Sequence, residues 1–251
     1  MTAPPPALSA SGLAKTYGST TAVDGVDLTV DTGVVYGFLG PNGAGKTTTM
    51  RMLTGLVDPT DGEARVAGVP CTDREALVDR IGLLPEEPPL YDELTGREQL
   101  QFAADVRGRD WETVADRALS TVERLALAED LDRRIEGYSK GMAQKLAFTQ
   151  AVQHDPDVAF LDEPTSGLDP RAAKTLRELI GELSAAGTTV FLSTHILPVV
   201  EAVADTVGVL HDGRLVAEGP PERLVERRED DDSDLEAAFL ELTSDERTAE
   251  R

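Results

Sequence analysis

The stretch Gly40-Pro41-Asn42-Gly43-Ala44-Gly45-Lys46-Thr47 decides the fold, because it places a lysine and a threonine directly behind a glycine-rich loop. Two glycines flanking four residues, followed by Lys and Ser or Thr, form the pattern of a phosphate-binding loop. The stretch follows an apolar run, Val34–Leu39, and precedes a segment of helical composition that ends near Gly55. Strand, glycine loop and helix in direct succession predict an α/β domain that binds phosphate groups.

The glycine loop also predicts the chemistry of the site. Glycines let backbone N–H groups turn inward around a β-phosphate, and the positive end of the following helix points at the anion. We expect Lys46 to reach the β- and γ-phosphates of ATP and Thr47 to hold Mg²⁺. Thr48 is assigned to the same nucleotide-binding set. The alternative, a glycine-rich turn without a ligand, is disfavoured because the motif lies between a strand and a helix.

A second motif, Val158–Pro164, reads VAFLDEP and is an apolar strand that ends in two carboxylates. In open α/β sheets ligands bind at the carboxyl ends of the strands, so Asp162 is placed to bind Mg²⁺ through water. Glu163 points differently and can take a proton from an attacking water as a general base. Taken alone, Asp-Glu at a strand end is often only a strand cap. The phosphate loop in the same chain favours the metal-binding and catalytic interpretation.

Between these motifs lies Tyr138-Ser139-Lys140-Gly141-Met142, in which Ser139 precedes Asp162 by 23 residues. Together with the two motifs this stretch resembles the ABC ATPases, which have their signature loop, LSGGQ, at this place, and the resemblance covers about Leu8 to Gly219. Ser139 and Gly141 match the family pattern, whereas Tyr138, Lys140 and Met142 do not. The resemblance implies that this loop lies at a helix start and contacts the γ-phosphate of ATP bound to another subunit. Lys140 adds a positive charge there, whose effect is either a stronger contact with ATP or none.

Three further residues take a role from the same resemblance. Tyr17 stands 23 residues before Gly40, where the family places an aromatic ring that stacks on adenine; the alternative is an ordinary Tyr at a strand end. Asp169 lies in a segment, SGLD, that resembles the loop crossing the dimer interface. His195 follows the run TTVFLST, as does the family's switch histidine, which contacts the γ-phosphate.

One position departs from the family. The loop between the two subdomains usually carries Gln, which touches Mg²⁺ or the attacking water, and here Glu86 takes its place. A carboxylate only accepts hydrogen bonds, but it is a harder Mg²⁺ ligand than an amide. We therefore expect Glu86 to have a metal-binding role. The segment around Glu86, the signature stretch and the C-terminal DLEAAFLELT resemble the ATPase subunits of prokaryotic exporters for drugs or sodium ions.

Composition limits the classes of function. The chain of 251 residues has a formal charge of −22, which disfavours nucleic-acid binding, and its basic residues include only five Lys. Diffuse acidity with little Lys is typical of proteins from high-salt cytoplasm. The alternative interpretation is a generally acidic protein from a mesophile. No apolar run reaches the length of a membrane-spanning helix, and the first ten residues lack the pattern of a secretory signal. We therefore expect a cytoplasmic protein that meets the membrane through a partner.

These observations predict an α/β P-loop NTPase with a RecA-like core, an antiparallel β edge subdomain and an α-helical subdomain at about 88–155. Residues 1–225 form the ATPase domain, and 226–251 an acidic tail. The resemblance implies a membrane permease as partner and a head-to-tail pair with a second copy or a paralogous ATPase subunit. The alternatives are a non-transport ABC ATPase, a nucleotide-dependent regulator that does not hydrolyse ATP, and a P-loop kinase or GTPase. Glu163 and His195 argue against the regulator, and the signature loop argues against the kinase or GTPase.

Overall fold

The computed structural model describes residues 5–225, 239–240 and 243. Within them the strands are β1 (Leu8–Tyr17), β2 (Thr20–Val30), β3 (Val35–Leu39), β4 (Asp61–Val66), β5 (Val69–Pro70), β6 (Ile81–Leu84), β7 (Val158–Asp162), β8 (Thr189–Thr194), β9 (Thr206–His211) and β10 (Arg214–Gly219). The α-helices there are α1 (Lys46–Leu53), α2 (Arg74–Val78), α3 (Gly96–Val106), α4 (Trp111–Arg124), α5 (Lys140–Val152), α6 (Pro170–Ala185), α7 (Leu197–Val203) and α8 (Pro221–Val225).

A six-stranded sheet in the order β10-β9-β3-β8-β7-β6 forms the centre of the molecule. Every residue of β3, β7 and β8 is buried, which explains why these strands are nearly continuous apolar runs. The edge strand β10 is the exception to the parallel order, since it pairs antiparallel with β9. A two-residue turn, Asp212-Gly213, joins the two strands, and a turn this short permits only a hairpin.

The two faces of the central sheet are covered by different layers. On one face Tyr36, Phe38, Phe160 and Phe191 pack with the apolar side chains of α1 and of β1 and β2. On the other face alternate residues of the same strands meet α5, α6 and α7. Because side chains alternate along a strand, one short apolar strand supplies both cores at once.

A second sheet, in the order β2-β1-β4-β5, is antiparallel throughout and lies against the α1 side of the core. Residues of β2 and β4 alternate between buried and exposed positions over much of their length. This alternation is typical of an antiparallel sheet with one solvated face. The sheet is the antiparallel edge that the sequence predicts.

The helices α3, α4 and α5 lie between β6 and β7. Thr95 caps α3 in a reciprocal capping box with Glu98, and Asp110 caps α4. Their shared core includes Leu100, Ala118, Val122 and Leu146. In this segment two 3₁₀ helices, Ala128–Asp130 and Ile135–Gly137, connect α4 to α5. The helical prediction for about 88–155 falls on this region.

Of the predicted acidic tail, 226–251, all but residues 239–240 and 243 lies outside the described residues. Phe239 packs against the cluster formed by β3, β9, β10, α7 and α8. The division into an ATPase domain and a tail stays a prediction. Across the described ranges, no helix combines the length and apolar character needed to cross a membrane.

Candidate active site

The glycine loop turns tightly between β3 and α1, and two of its glycines are required because a side chain would not fit at their positions. A Cβ on Gly40 would lie 2.4 Å from the backbone oxygen of Leu210. Gly45 has a φ of 105°, and a Cβ on it would lie 2.4 Å from the backbone oxygen of Ala22. Any side chain at either position would push the loop away from its neighbours. The loop geometry therefore depends on these glycines.

Lys46, the first residue of α1, is buried beneath the loop. Its Nζ donates to the backbone oxygens of Gly40 and Pro41, at 2.7 and 3.1 Å. Burial lowers the pKa of Lys46, and the nearby carboxylates of Glu163, Asp162 and Glu86 act in the opposite direction. The ammonium is thus held in the loop by weak neutral acceptors, which an anionic phosphate can replace.

A cleft of about 340 Å³ opens beside the loop and collects most of the predicted site residues. Its lining consists of Ala22, Asn42, Gly43, Gly45, Lys46, Thr47, Thr48, Glu86, Asp162, Glu163 and His195. Gly40, Pro41 and Ala44 lie in the loop itself but do not line the cleft. The carboxyl ends of β7 and β8 deliver Asp162 and His195 to the cleft, as parallel strands with a common edge require.

An oxygen-rich corner of the cleft has the donor set of a hard cation. Thr47 donates its hydroxyl hydrogen to Oδ2 of Asp162 across 3.0 Å, and the Glu86 side chain lines the same cleft. Hydroxyl, carboxylate and phosphate oxygens with water are the usual ligands of Mg²⁺. Among the residues that the structure describes, no group of three or more His, Cys, Asp and Glu forms a metal cage. The corner therefore fits a metal that takes part of its coordination from a bound nucleotide.

Glu163 has an unusual backbone and a fully engaged carboxylate. Its φ of 46° lies in the left-handed region, which a non-glycine residue occupies only when its surroundings hold it there. Oε2 accepts a hydrogen bond from the Thr194 hydroxyl at 2.9 Å. Oε1 accepts from the backbone N–H of His195 at 3.0 Å and lies 2.6 Å from Nδ1 of the same residue. An ionised carboxylate only accepts, so Nδ1 carries the proton in this pair.

The remaining predicted residues lie outside the cleft. Ser139 caps α5 and accepts from the backbone N–H of Met142, while Asp169 caps α6. Hydrogen bonds from the first turn of α6 lower the pKa of Asp169. Gly141 packs on the turn before Asp169, and Tyr17 ends β1 with 48 % of its surface exposed. None of these residues lines the cleft beside the phosphate loop of their own chain.

Two functional contacts escaped the sequence interpretation. Thr194 bonds the Glu163 carboxylate, and Gln144 of α5 donates from Nε2 to the backbone oxygens of Glu163 and Pro164, at 3.2 Å each. Both side chains are buried polar groups, with 0 % and 1 % exposure. A Thr directly before a candidate catalytic His is a signal that the sequence offered. Gln144 gives none, since its partner is 19 residues away and reached only through the fold.

The parallel sheet, the glycine loop at the start of α1 and the carboxylates opposite it define a nucleotide-binding protein of the P-loop NTPase class. The family model described as ABC transporter matches residues 23–166. The chain belongs to this family, and the predictions of an ABC-type ATPase and of its fold are confirmed.

Individual relatives agree with this assignment. The daunorubicin/doxorubicin resistance ATP-binding protein DrrA of Streptomyces peucetius is 42 % identical over 87 % of this chain and 66 % of its own length. The bacitracin transport ATP-binding protein BcrA of Enterococcus faecalis is 41 % identical over 82 % and 67 %, respectively. This chain thus spans about two thirds of each. A solved ATP-binding subunit of an ABC transporter, 32 % identical, matches with a TM-score of 0.88 over 94 % of this chain and 99 % of its own.

Proposed function

We propose that this chain hydrolyses ATP with the help of Mg²⁺ and thereby drives a separate membrane permease for export. One observation carries the catalytic part of the proposal. The phosphate loop lines the same cleft as Asp162, Glu163 and His195. Counter-charge, metal ligands and a base are therefore close enough to act on one phosphate chain.

The phosphate loop and the oxygen-rich corner bind the substrate in this proposal. Lys46 exchanges its two carbonyl acceptors for β- and γ-phosphate oxygens, and the N–H groups at the start of α1 meet the same anion. Thr47 and Asp162, with Glu86 beside them, hold Mg²⁺. When bound, Mg²⁺ neutralises negative charge on the phosphates. These residues orient the nucleotide and need no covalent chemistry of their own.

Glu163 acts as the general base for the attacking water. Thr194 and the backbone N–H of His195 hold its carboxylate in one orientation, which fixes the direction in which it accepts a proton. The His195 ring is half exposed, lines the cleft, and has its Nδ1 2.6 Å from Oε1 of the same carboxylate. We assign to it the contact with the γ-phosphate.

The proposal includes a second ATPase subunit, either another copy or a paralogue. Ser139, Gly141 and Asp169 match family elements that act across a subunit interface, and none of the three lines this chain's own cleft. A head-to-tail pair brings the signature loop of one chain to the phosphate loop of the other. Tyr17, exposed at the end of β1, is assigned to adenine stacking in the same arrangement.

Export and location rest on resemblance to relatives. The two named above are a drug-resistance and a bacitracin-transport ATP-binding protein. We infer that this chain lies at the cytoplasmic face of the cell membrane, held there by its permease, and has no nucleic-acid partner.

The test of the proposed function is Glu163→Gln in the purified chain. The variant keeps size and hydrogen bonding but removes the basic oxygen, so ATP should still bind while hydrolysis falls by about 10² to 10⁴ fold. It should accumulate as an ATP-bound dimer on size exclusion, whereas the wild type with ATP and Mg²⁺ returns to monomer. Glu201→Gln, the same change on the exposed side of α7, is the control and should leave turnover unchanged. Normal hydrolysis by Glu163→Gln would refute the assignment.

A further inference from the structure

The helix α5 contacts the backbone of Glu163 through one buried side chain. Gln144 is 1 % exposed, and its Nε2 donates to the backbone oxygens of Glu163 and Pro164 over 3.2 Å each. Both N–H hydrogens of the amide are therefore directed at the residue proposed as base and at its neighbour. No other hydrogen bond between the side chain of a helical-segment residue and Glu163 occurs within the described residues.

Glu163 needs such support because its backbone is strained. Its φ of 46° is unfavourable for a side chain with a Cβ and persists only where neighbouring groups hold it. Its N–H donates to Ser193 O at 2.9 Å, which ties it to β8. Its carbonyl oxygen accepts from the Ser166 N–H at 3.0 Å and from Gln144. Loss of the Gln144 bonds would free the carbonyl side of a residue whose exact orientation sets the reaction geometry.

The same helix begins at the signature loop. Ser139 caps α5 and Gly141 lies in its first turn, so about one turn of helix separates them from Gln144. This first turn also packs on the turn that follows Glu163: a Cβ on Gly141 would lie 2.8 Å from Gly167 O. The stem of Lys140 lies over Gly167, 2.9 Å from where its Cβ would be. A shift of the α5 start is therefore transmitted to Glu163 both through Gln144 and through Gly167.

We propose that Gln144 is a positioning residue that couples the signature loop of a chain to the general base of that same chain. The proposal rests on the proposed function, in which the signature loop binds ATP held by the partner subunit. Binding of that ATP orders the start of α5, and Gln144 then sets Glu163 for hydrolysis of the chain's own ATP. Each composite site thereby promotes the other, and turnover is cooperative in ATP.

A purely structural role for a buried amide is the competing explanation, and α5 itself supplies the comparison. Gln153 ends the same helix, is 2 % exposed, and donates from Nε2 to the backbone oxygen of Leu100 at 3.1 Å. It has the same side chain, similar burial and the same kind of bond, but its acceptor lies in α3 and away from the cleft. Gln144→Met thus removes two bonds of this kind and Gln153→Met removes one, with different predicted consequences.

The experiment measures ATPase rate against ATP concentration, equilibrium binding of a fluorescent ATP analogue and thermal midpoint for the wild type and the variants. We expect Gln144→Met to lower kcat by about 10 to 100 fold, as a slightly misplaced base does. Its Hill coefficient should fall to one from a wild-type value above one, while binding of the analogue stays within about twofold. Gln144→Glu keeps the volume but removes the donors and should behave the same way. Gln153→Met should lose a similar amount of thermal stability to Gln144→Met but keep a normal kcat and normal cooperativity.

The outcomes separate the two proposals. Equal kcat and Hill coefficients for the Gln144 and Gln153 variants would overturn the coupling role while wild-type hydrolysis and its loss in Glu163→Gln keep the proposed function. So would a non-cooperative wild type, or a failure of both Gln144 variants to fold when Gln153→Met folds. No hydrolysis by the wild type, or full hydrolysis by Glu163→Gln, would instead refute the proposed function itself.

Discussion

At the scale of single residues, the site is built around one strained carboxylate. Glu163 is 7 % exposed and depends on hydrogen bonds from Thr194 and His195 for its orientation. Thr194 is fully buried and bonded twice, because its Oγ1 also accepts from the Ile196 N–H at 3.1 Å. A buried hydroxyl with both functions used holds its rotamer firmly. Thr194 therefore holds the carboxylate of the proposed base in one orientation.

Thr194→Val tests this role with a side chain of the same shape. The variant removes the donor to Glu163 and the acceptor for Ile196, so kcat should fall about tenfold or more with little change in ATP affinity. The lost bonds should also cost about 1–3 kcal/mol of stability. The control is Thr189→Val at the other end of β8, where a fully buried Oγ1 accepts from the Gly33 N–H at 2.9 Å. Comparable kcat in both variants would contradict a positioning role.

The residues that the sequence predicted and those it missed differ in how their function is encoded. Lys46, Thr47 and Asp162 stand at fixed offsets from glycines or from a strand end, and such offsets are visible in the sequence. The contacts of Gln144 and Thr194 with Glu163 span 19 and 31 residues. They exist only because α5, β7 and β8 pack side by side. A local pattern carries no record of such packing.

At the scale of elements, the contact between β6 and α5 is the tightest that the glycines reveal. A Cβ on Gly82 of β6 would lie 2.0 Å from the backbone oxygen of Ala151 and 3.1 Å from Cγ of Pro156. The glycine is thus required by the close approach of a helix backbone to an edge strand. This contact sets the distance of the last turns of α5 from the sheet. It thereby also sets the orientation of this helix, which begins at the signature loop.

Gly82→Ala should therefore destabilise the protein, by about 1–3 kcal/mol or more, because a rigid backbone has to move. Gly181→Ala is the matched control, since Gly181 lies in the interior of α6 on its exposed side with nothing within 4 Å of a Cβ. It should stabilise by about 0.5–1 kcal/mol through helix propensity. Urea unfolding of both variants gives the two signs. A neutral Gly82→Ala would show that the edge strand yields easily.

Elements were predicted well where hydrophobic pattern and length agreed, as for β3, β7 and α4. The short helix α2 was missed because five residues cannot show a helical period, although Asp73 caps it through the Ala76 N–H. The direction of β10 was not predicted, for a different reason. An apolar strand looks alike in both directions, and only the brevity of the Asp212-Gly213 turn distinguishes them.

At the scale of the whole molecule, charge dominates. Asp and Glu number 46 against 24 Lys and Arg, which leaves a formal charge of −22. Ion pairs such as Arg80–Asp157 and Arg214–Asp24 are exposed and contribute little each. Most of the acidic excess therefore remains as mutual repulsion over the surface, which salt screens.

We expect the thermal midpoint to rise by about 5 °C or more between low and molar KCl, since screening removes repulsion that favours unfolding. Thermal melts across a KCl series measure this. A sucrose series is the control, because sucrose stabilises by exclusion without screening charge. A midpoint that is flat or falls with KCl would remove the high-salt interpretation of the composition.

The ATP site shared between the two chains of the proposed dimer is also a property of the whole molecule. It can be tested without any structural measurement. In the proposed head-to-tail dimer, Lys46→Ala damages the site on its own chain, and Ser139→Arg damages the site on its partner. Each variant alone therefore carries one lesion in both sites and should be inactive. A mixed dimer concentrates both lesions in one site and leaves the other intact.

Mixing the two inactive variants should accordingly restore ATPase activity. If one intact site suffices, each mixed dimer should reach up to about half of the wild-type rate. The rate should be lower in proportion to the cooperativity of the two sites. The measurement is steady-state hydrolysis across mixing ratios, with a maximum expected at equal amounts. Lys46→Ala mixed with Glu163→Gln is the control, because both lesions then affect the site on their own chain and every dimer lacks an intact one. A mixture of Lys46→Ala and Ser139→Arg as inactive as this control, with dimers present on size exclusion, would contradict the shared-site geometry.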